Sequence, residues 1–117
     1  MKIKEIKELL NTEPVTCCDK LDVEIKYAFA SDLMSDVLAL ANNDVMLITG
    51  LTNIQTIRTA EMKDIKCIIF VRGKVPDESV IELARQNDMI ILCTKLTMFN
   101  TCGLLHLSGL QGADINK

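Results

Sequence analysis

The chain has 117 residues, of which 49% are hydrophobic and 25% charged, with a formal net charge of -3. That length suits one domain able to bury a core without a metal or disulfide staple, and the composition excludes a disordered segment. The acidic balance, with three Phe and one Tyr not spaced for stacking bases, excludes a nucleic-acid platform.

The start, MKIKEIKELL, is charged at every turn and so is no signal peptide, and no later stretch approaches membrane-spanning length. Five cysteines at neither a disulfide nor a zinc spacing imply reduced thiols. Together these features predict a cytoplasmic protein with no membrane or nucleic-acid partner, no metal and no cofactor.

Ile3, Ile6, Leu9 and Leu10 recur at helical spacing and predict an amphipathic helix ending near Asn11, which Pro14 cannot continue. Val15 to Cys18 reads as a short strand and Asp19 to Asp22 as a turn. Val23, Ile25, Tyr27 and Phe29 alternate as in a half-buried strand that stops at Ser31. Ser31 or Asp32 then caps a helix to about Ala41, whose apolar stripe is Leu33, Met34, Val37, Leu38 and Ala41.

Val45 to Thr49, Cys67 to Val71 and Met89 to Cys93 are apolar runs too short for helices and too continuous for a solvated sheet face. They predict central parallel strands. Helices are expected at Asn53 to Met62, Asp77 to Gln86 and Thr97 to Leu107, with Gly109 as a stop and residues 111–117 as a frayed tail. The result is a single domain over 1–117, a three-layer α/β/α sandwich with a mainly parallel sheet.

Ligands of open α/β sheets collect beyond the carboxyl ends of the strands. Three loops fall there: Thr49-Gly50-Leu51-Thr52-Asn53, Arg72-Gly73-Lys74 and Thr94-Lys95-Leu96-Thr97. Arg72, Lys74 and Lys95 on one edge would attract a phosphate or carboxylate. The same residues have a plainer role open to them: Thr52 and Thr97 as helix caps, Gly50 and Gly73 in tight turns, the cations merely solvated. Neither a P-loop nor a GxGxxG is present.

Asp32 and Asp36, four apart, could share a helix face and hold a cation or do acid/base work, or simply favour a helix amino terminus. His106 has no nucleophile at a recognisable spacing. Cys67 and Cys93 belong to buried strands, while Cys17, Cys18 and Cys102 lie nearer the surface without ligand spacing. In the last helix Met98, Phe99, Cys102, Leu104, Leu105 and Leu107 offer more apolar surface than one sheet contact requires, as a dimer interface would.

Four stretches carry a family likeness: ASDLMSDVLA at 30–39, LITGLTNIQTIRTAEM at 47–62, IIFVRGKVPDESVIELA at 68–84 and IILCTKLTMFNTCGLL at 90–105. In order and spacing the chain resembles the DRTGG domain family, itself similar to the amino-terminal domain of HPr kinase/phosphorylase. The literal Asp-Arg-Thr-Gly-Gly signature is absent, its place taken by Thr49-Gly50-Leu51-Thr52-Asn53. The P-loop-bearing kinase domain of HPr kinase has no counterpart within these 117 residues, so the resemblance implies no kinase activity for them. It implies a fold shared with the uridine-nucleotide-binding domain of a cell-wall ligase. Stand-alone relatives occur in anaerobic bacteria, beside iron hydrogenase and sensor-kinase genes; others are fused to CBS or phosphotransacetylase-like domains.

The combined expectation is a non-catalytic regulatory or ligand-sensing domain, a homodimer, binding a small anionic ligand or a regulatory protein partner through Thr49, Gly50, Thr52, Asn53, Arg72, Gly73, Lys74, Thr94, Lys95 and Thr97. The alternative is an accessory protein of an iron hydrogenase or electron-transfer system. An enzyme using Asp32 and Asp36 ranks last.

Overall fold

The structure is a computed structural model that describes residues 1–42 and 44–113. In chain order its elements are α1 (Ile3–Leu9), β1 (Tyr27–Ala30), α2 (Met34–Leu40), β2 (Val45–Thr49), α3 (Ile54–Met62), β3 (Cys67–Phe70), α4 (Glu78–Gln86), β4 (Ile90–Cys93), α5 (Met98–Leu107) and β5 (Gln111–Gly112).

The apolar runs at 45–49, 67–71 and 89–93 become β2, β3 and β4. Each is hydrophobic on both sides because the sheet is covered on both faces. Leu47, Ile68, Phe70 and Ile91 pack beneath Val37 of α2, Ile57 and Ala60 of α3 and Val80 and Ala84 of α4. The alternate residues Met46, Ile48, Ile69, Ile90 and Leu92 meet Ile3 and Ile6 of α1 and Leu105 of α5 on the opposite face. Strand order is β4-β3-β2-β1-β5, and every strand pair is parallel. The fold is the expected three-layer α/β/α arrangement.

Three helices start where the sequence places their caps. Asn53, Asp77 and Thr97 each accept a hydrogen bond from a backbone amide of their own first turn, those of Thr56, Val80 and Asn100. Asn53 therefore does the work expected of Thr52. Gly109 ends α5 at φ 106, a left-handed conformation that favours glycine.

Four expectations are corrected. The strand foreseen at 15–18 is an irregular strap along the outer edge of β4. Pro14 makes an isolated antiparallel bridge with Leu92, and Val15 N donates to Ile91 O at 2.7 Å. Pro14 has no N–H to donate and Cys17 turns away at φ 52, so no regular ladder forms. Threonine hydroxyls substitute: Thr16 Oγ1 donates to Met89 O and accepts from Ile91 N, and Thr12 Oγ1 donates to Cys93 O.

The strand expected from Val23 begins only at Tyr27, because Val23 and Ile25 pair instead with the amino terminus, through Ile3 N to Val23 O and Ile25 N to Met1 O. Helix α2 starts at Met34 with no side-chain cap, and Asp32 lies outside it. Asp32 and Asp36 therefore do not share a helix face. Finally, Gln111 and Gly112 of the supposed frayed tail pair with Tyr27 and Ala28 as β5, while 114–117 lie outside the described residues.

Candidate functional site

With all strands parallel, the loops after β2, β3 and β4 stand on one rim, and hydrogen bonds knit two of them together. Arg72 N donates to Leu96 O at 2.7 Å and Gly73 N to Thr94 O at 2.9 Å. Making both bonds takes Arg72 and Gly73 through the left-handed region, at φ 64 and φ 70. Glycine tolerates this freely; arginine adopts it at a cost.

Arg72 lies across the β2 loop. A Cβ on Gly50 would collide with its guanidinium, with Nε at 3.1 Å and Nη2 and Cζ nearer still. Gly50 thus leaves the room in which Arg72 rests. The arginine Nη1 is 3.5 Å from Asp32 Oδ2, a pair roughly half exposed on both sides and so worth little in stability. Asp32 is held more firmly through its other oxygen, which accepts from Gly50 N at 2.7 Å and Thr49 Oγ1 at 2.9 Å. The Gly50 amide above all, then the Thr49 hydroxyl and the Arg72 charge, hold the Asp32 carboxyl below its ordinary value against mild desolvation.

Beside this arginine is an open cavity of about 600 Å³, lined by residues 50–54, Arg72, Lys74, Asp77, Ser79 and Val80. The amino ends of α3 and α4 both border it, beside the cations Arg72 and Lys74. The lining is mixed in charge: Asp77 is also there, although its carboxylate accepts from Ser79 Oγ at 2.8 Å and Val80 N at 3.3 Å. The Ser79 hydroxyl first, then the Val80 amide, hold Asp77 below its ordinary value.

Of the ten residues singled out from the sequence, Gly50, Thr52, Asn53, Arg72 and Lys74 line this cavity. Thr49 and Thr94 stand on the same rim but are buried and engaged within the fold, Thr49 with Asp32 and the Leu51 amide, Thr94 with Leu10 O and the Leu96 amide. Gly73, Lys95 and Thr97 are not among the lining residues; Lys95 is exposed and Thr97 caps α5. Asp77 and Ser79 line the cavity as well and are not among those ten, although Asp77 was legible as the start of a helix. Sequence reading misassigned Asp32, whose partners are 17 and 18 residues away.

The strand order reverses between β1 and β5, whereas the cavity sits at the ends of β2 and β3. Its place follows from the two helix starts rather than from the reversal.

Elsewhere, Cys18 is exposed, Cys17, Cys93 and Cys102 are half-buried, and Cys67 is buried, its thiol pushed well up by desolvation. Among the described residues no three His, Cys, Asp or Glu side chains group to hold a metal, and no helix is long and apolar enough to cross a membrane.

An open, all-parallel sheet covered by helices on both faces defines the three-layer α/β/α class of domain. The chain belongs to the DRTGG domain family, whose model matches residues 5–108. No curated protein matches it. Among solved structures it is similar to the CBS and DRTGG domains of the regulatory region of Clostridium perfringens pyrophosphatase, a complex with the activator diadenosine tetraphosphate. The TM-score is 0.73 at 14% identity, over 89% of this chain and 45% of that one. The likeness is one of fold, and this chain spans less than half the length of that regulatory region.

Proposed function

We propose that this protein is a non-catalytic regulatory module, a cytoplasmic homodimer of an anaerobic bacterium, that senses a small anionic ligand, a nucleotide or another phosphorylated metabolite, or the acidic surface of a protein partner. The cavity lined by residues 50–54, Arg72, Lys74, Asp77, Ser79 and Val80 receives it. Arg72 carries the reading. It is held by its backbone over Gly50 in a costly conformation, yet among the described residues its guanidinium meets one acceptor, Asp32, at 3.5 Å. A guanidinium has five N–H donors arranged to match a phosphate or carboxylate, and Arg72 lines the cavity together with Lys74.

Two further observations support the reading. The amino ends of α3 and α4, where a helix favours negative charge, border the same space, and the structural relative is a regulatory region complexed with a nucleotide activator. No observation favours the accessory role in electron transfer.

The test is a thermal-shift screen against nucleotides and phosphorylated metabolites. A ligand at a hundredfold excess over its Kd stabilises by about 2.7 kcal/mol, an easily read shift. At least one compound should raise Tm, and Arg72→Ala combined with Lys74→Ala should abolish the rise while leaving the unliganded Tm near that of the parent. If no compound or acidic partner binds, or if binding survives the double substitution, the proposal fails.

A further inference from the structure

Helix α5 has two unlike sides. Thr101 and Leu105 face inward and are buried, whereas Phe99 and Leu107 are 84% and 86% exposed. Between them on the outer side, four residues from each, is Gly103. A Cβ added at Gly103 meets nothing within 4 Å. Nothing in a single copy therefore accounts for a glycine in mid-helix, where it weakens the helix relative to alanine. Along the helix runs an apolar groove of about 510 Å³, lined by Ala28, Ala30 and Ile48 of the sheet and bordered by Phe99, Gly103 and Leu107 of α5 itself.

We infer that this groove and the outer side of α5 form a two-fold interface between two copies of the chain, with the helices crossing at Gly103 and Phe99 of each copy entering the groove of the other. The inference deepens the homodimer reading by naming its surface, and it is independent of the ligand at the rim.

Charge selects the occupant. From Leu96 to Ala113 there is no Asp, Glu, Lys or Arg, in a chain that is otherwise 25% charged with a net charge of -3. Two acidic copies repel least where each is uncharged, and a charged partner would find nothing complementary there. Shape selects it again, because a two-fold contact needs one patch to carry both projection and recess. Phe99 is the projection, the groove is the recess, and Gly103 lets two helix backbones approach closely. A standard interface engages roughly 20–30 residues on each side. One ten-residue helix and its groove are smaller than that, so the dimer should dissociate on dilution, with a Kd on the order of micromolar.

Sedimentation velocity over a concentration series tests this on the full chain. The parent should pass from monomer to dimer. Phe99→Asp should weaken the dimer by at least about thirtyfold, as loss of a central anchor does, with an unchanged circular dichroism spectrum. Gly103→Ala guards against a merely unfolded variant. It should raise the Tm of the dilute monomer while weakening the dimer roughly tenfold, a combination only close helix crossing predicts. A parent that stays monomeric overturns both the inference and the homodimer, leaving the groove to another occupant such as further chain or a different protein. A parent dimer indifferent to Phe99→Asp and Gly103→Ala overturns the inference alone, since the copies then meet elsewhere.

Discussion

Helices α4 and α5 follow neighbouring strands and are nearly equal in length, yet they are built to opposite rules. In α4 the buried residues Val80, Ile81 and Ala84 form one stripe with partly buried Leu83 beside it, and the exposed residues are Glu78, Ser79, Glu82, Arg85 and Gln86. In α5 the buried stripe is only Thr101 and Leu105, while Phe99, Gly103 and Leu107 occupy the outside with the uncharged Asn100 and the single histidine, His106. The sheet demands one apolar stripe of each helix and both provide it. What differs is the outer side, where the fold demands nothing, and there α5 is as uncharged as a core. Exposed apolar groups scattered singly need no explanation, but a contiguous set lining a groove does.

The sharpest way to break this comparison is to truncate both helices. Ile81→Ala, inside the α4 stripe, should cost about 2–4 kcal/mol in urea unfolding, because the lost contacts leave a cavity. Leu107→Ser, outside α5, should change the stability of the dilute monomer by no more than about 0.5 kcal/mol. Equal costs would show that the outside of α5 is packed within one copy.

The caps provide a smaller effect, and here the two helices should behave alike in kind. Thr97 accepts from Asn100 N at 3.3 Å, and Thr97→Ala should cost about 1 kcal/mol by denaturant titration. Asp77 caps α4 with a carboxylate instead, which adds a pH dependence that α5 lacks.

The direction of that dependence follows from the lowered carboxyls. Asp77 and Asp32 both have folded-state values depressed from an ordinary 3.8. Their contribution is complete above that value and is lost as pH falls through the lower folded one, since the unfolded chain takes up the proton first. Asp32→Asn and Asp77→Asn should therefore each flatten the decline in stability below about pH 4, by modest amounts because both groups are largely exposed. A variant with the parent's full acid sensitivity would argue against these hydrogen bonds. The smallest expectation concerns thiols: Cys18, exposed, should label first with a maleimide in the native protein, and Cys67 should label only on unfolding.

The sequence disclosed the interior of this molecule better than its seams. The runs at 45–49, 67–71 and 89–93 could only be strands buried on both faces, and Asn53, Asp77 and Thr97 marked helix starts to within a residue. Local pattern sufficed because each feature depends on near neighbours. The rim was legible as a place but not as an arrangement. Thr49 and Thr94 looked available for a ligand and are consumed by partners such as Asp32 and Leu10, distant in sequence. Asp32 resembled a cap because Ser-Asp precedes an apolar stripe, and only the parallel pairing of β1 with β2 brings it to Gly50. Strand β5 has no pattern of its own; pairing with Tyr27 and Ala28 makes Gln111 and Gly112 a strand.

The strap along β4 makes the front of the chain a guardian of its far side. An uncovered strand edge is a template for another chain, and Pro14, with no N–H to offer, is suited to end the sheet there. Because the bonds from Thr12 and Thr16 reach residues 81 and 73 positions away, shortening the amino terminus would unmask the edge of β4, and self-association through that edge would be the first sign of damage.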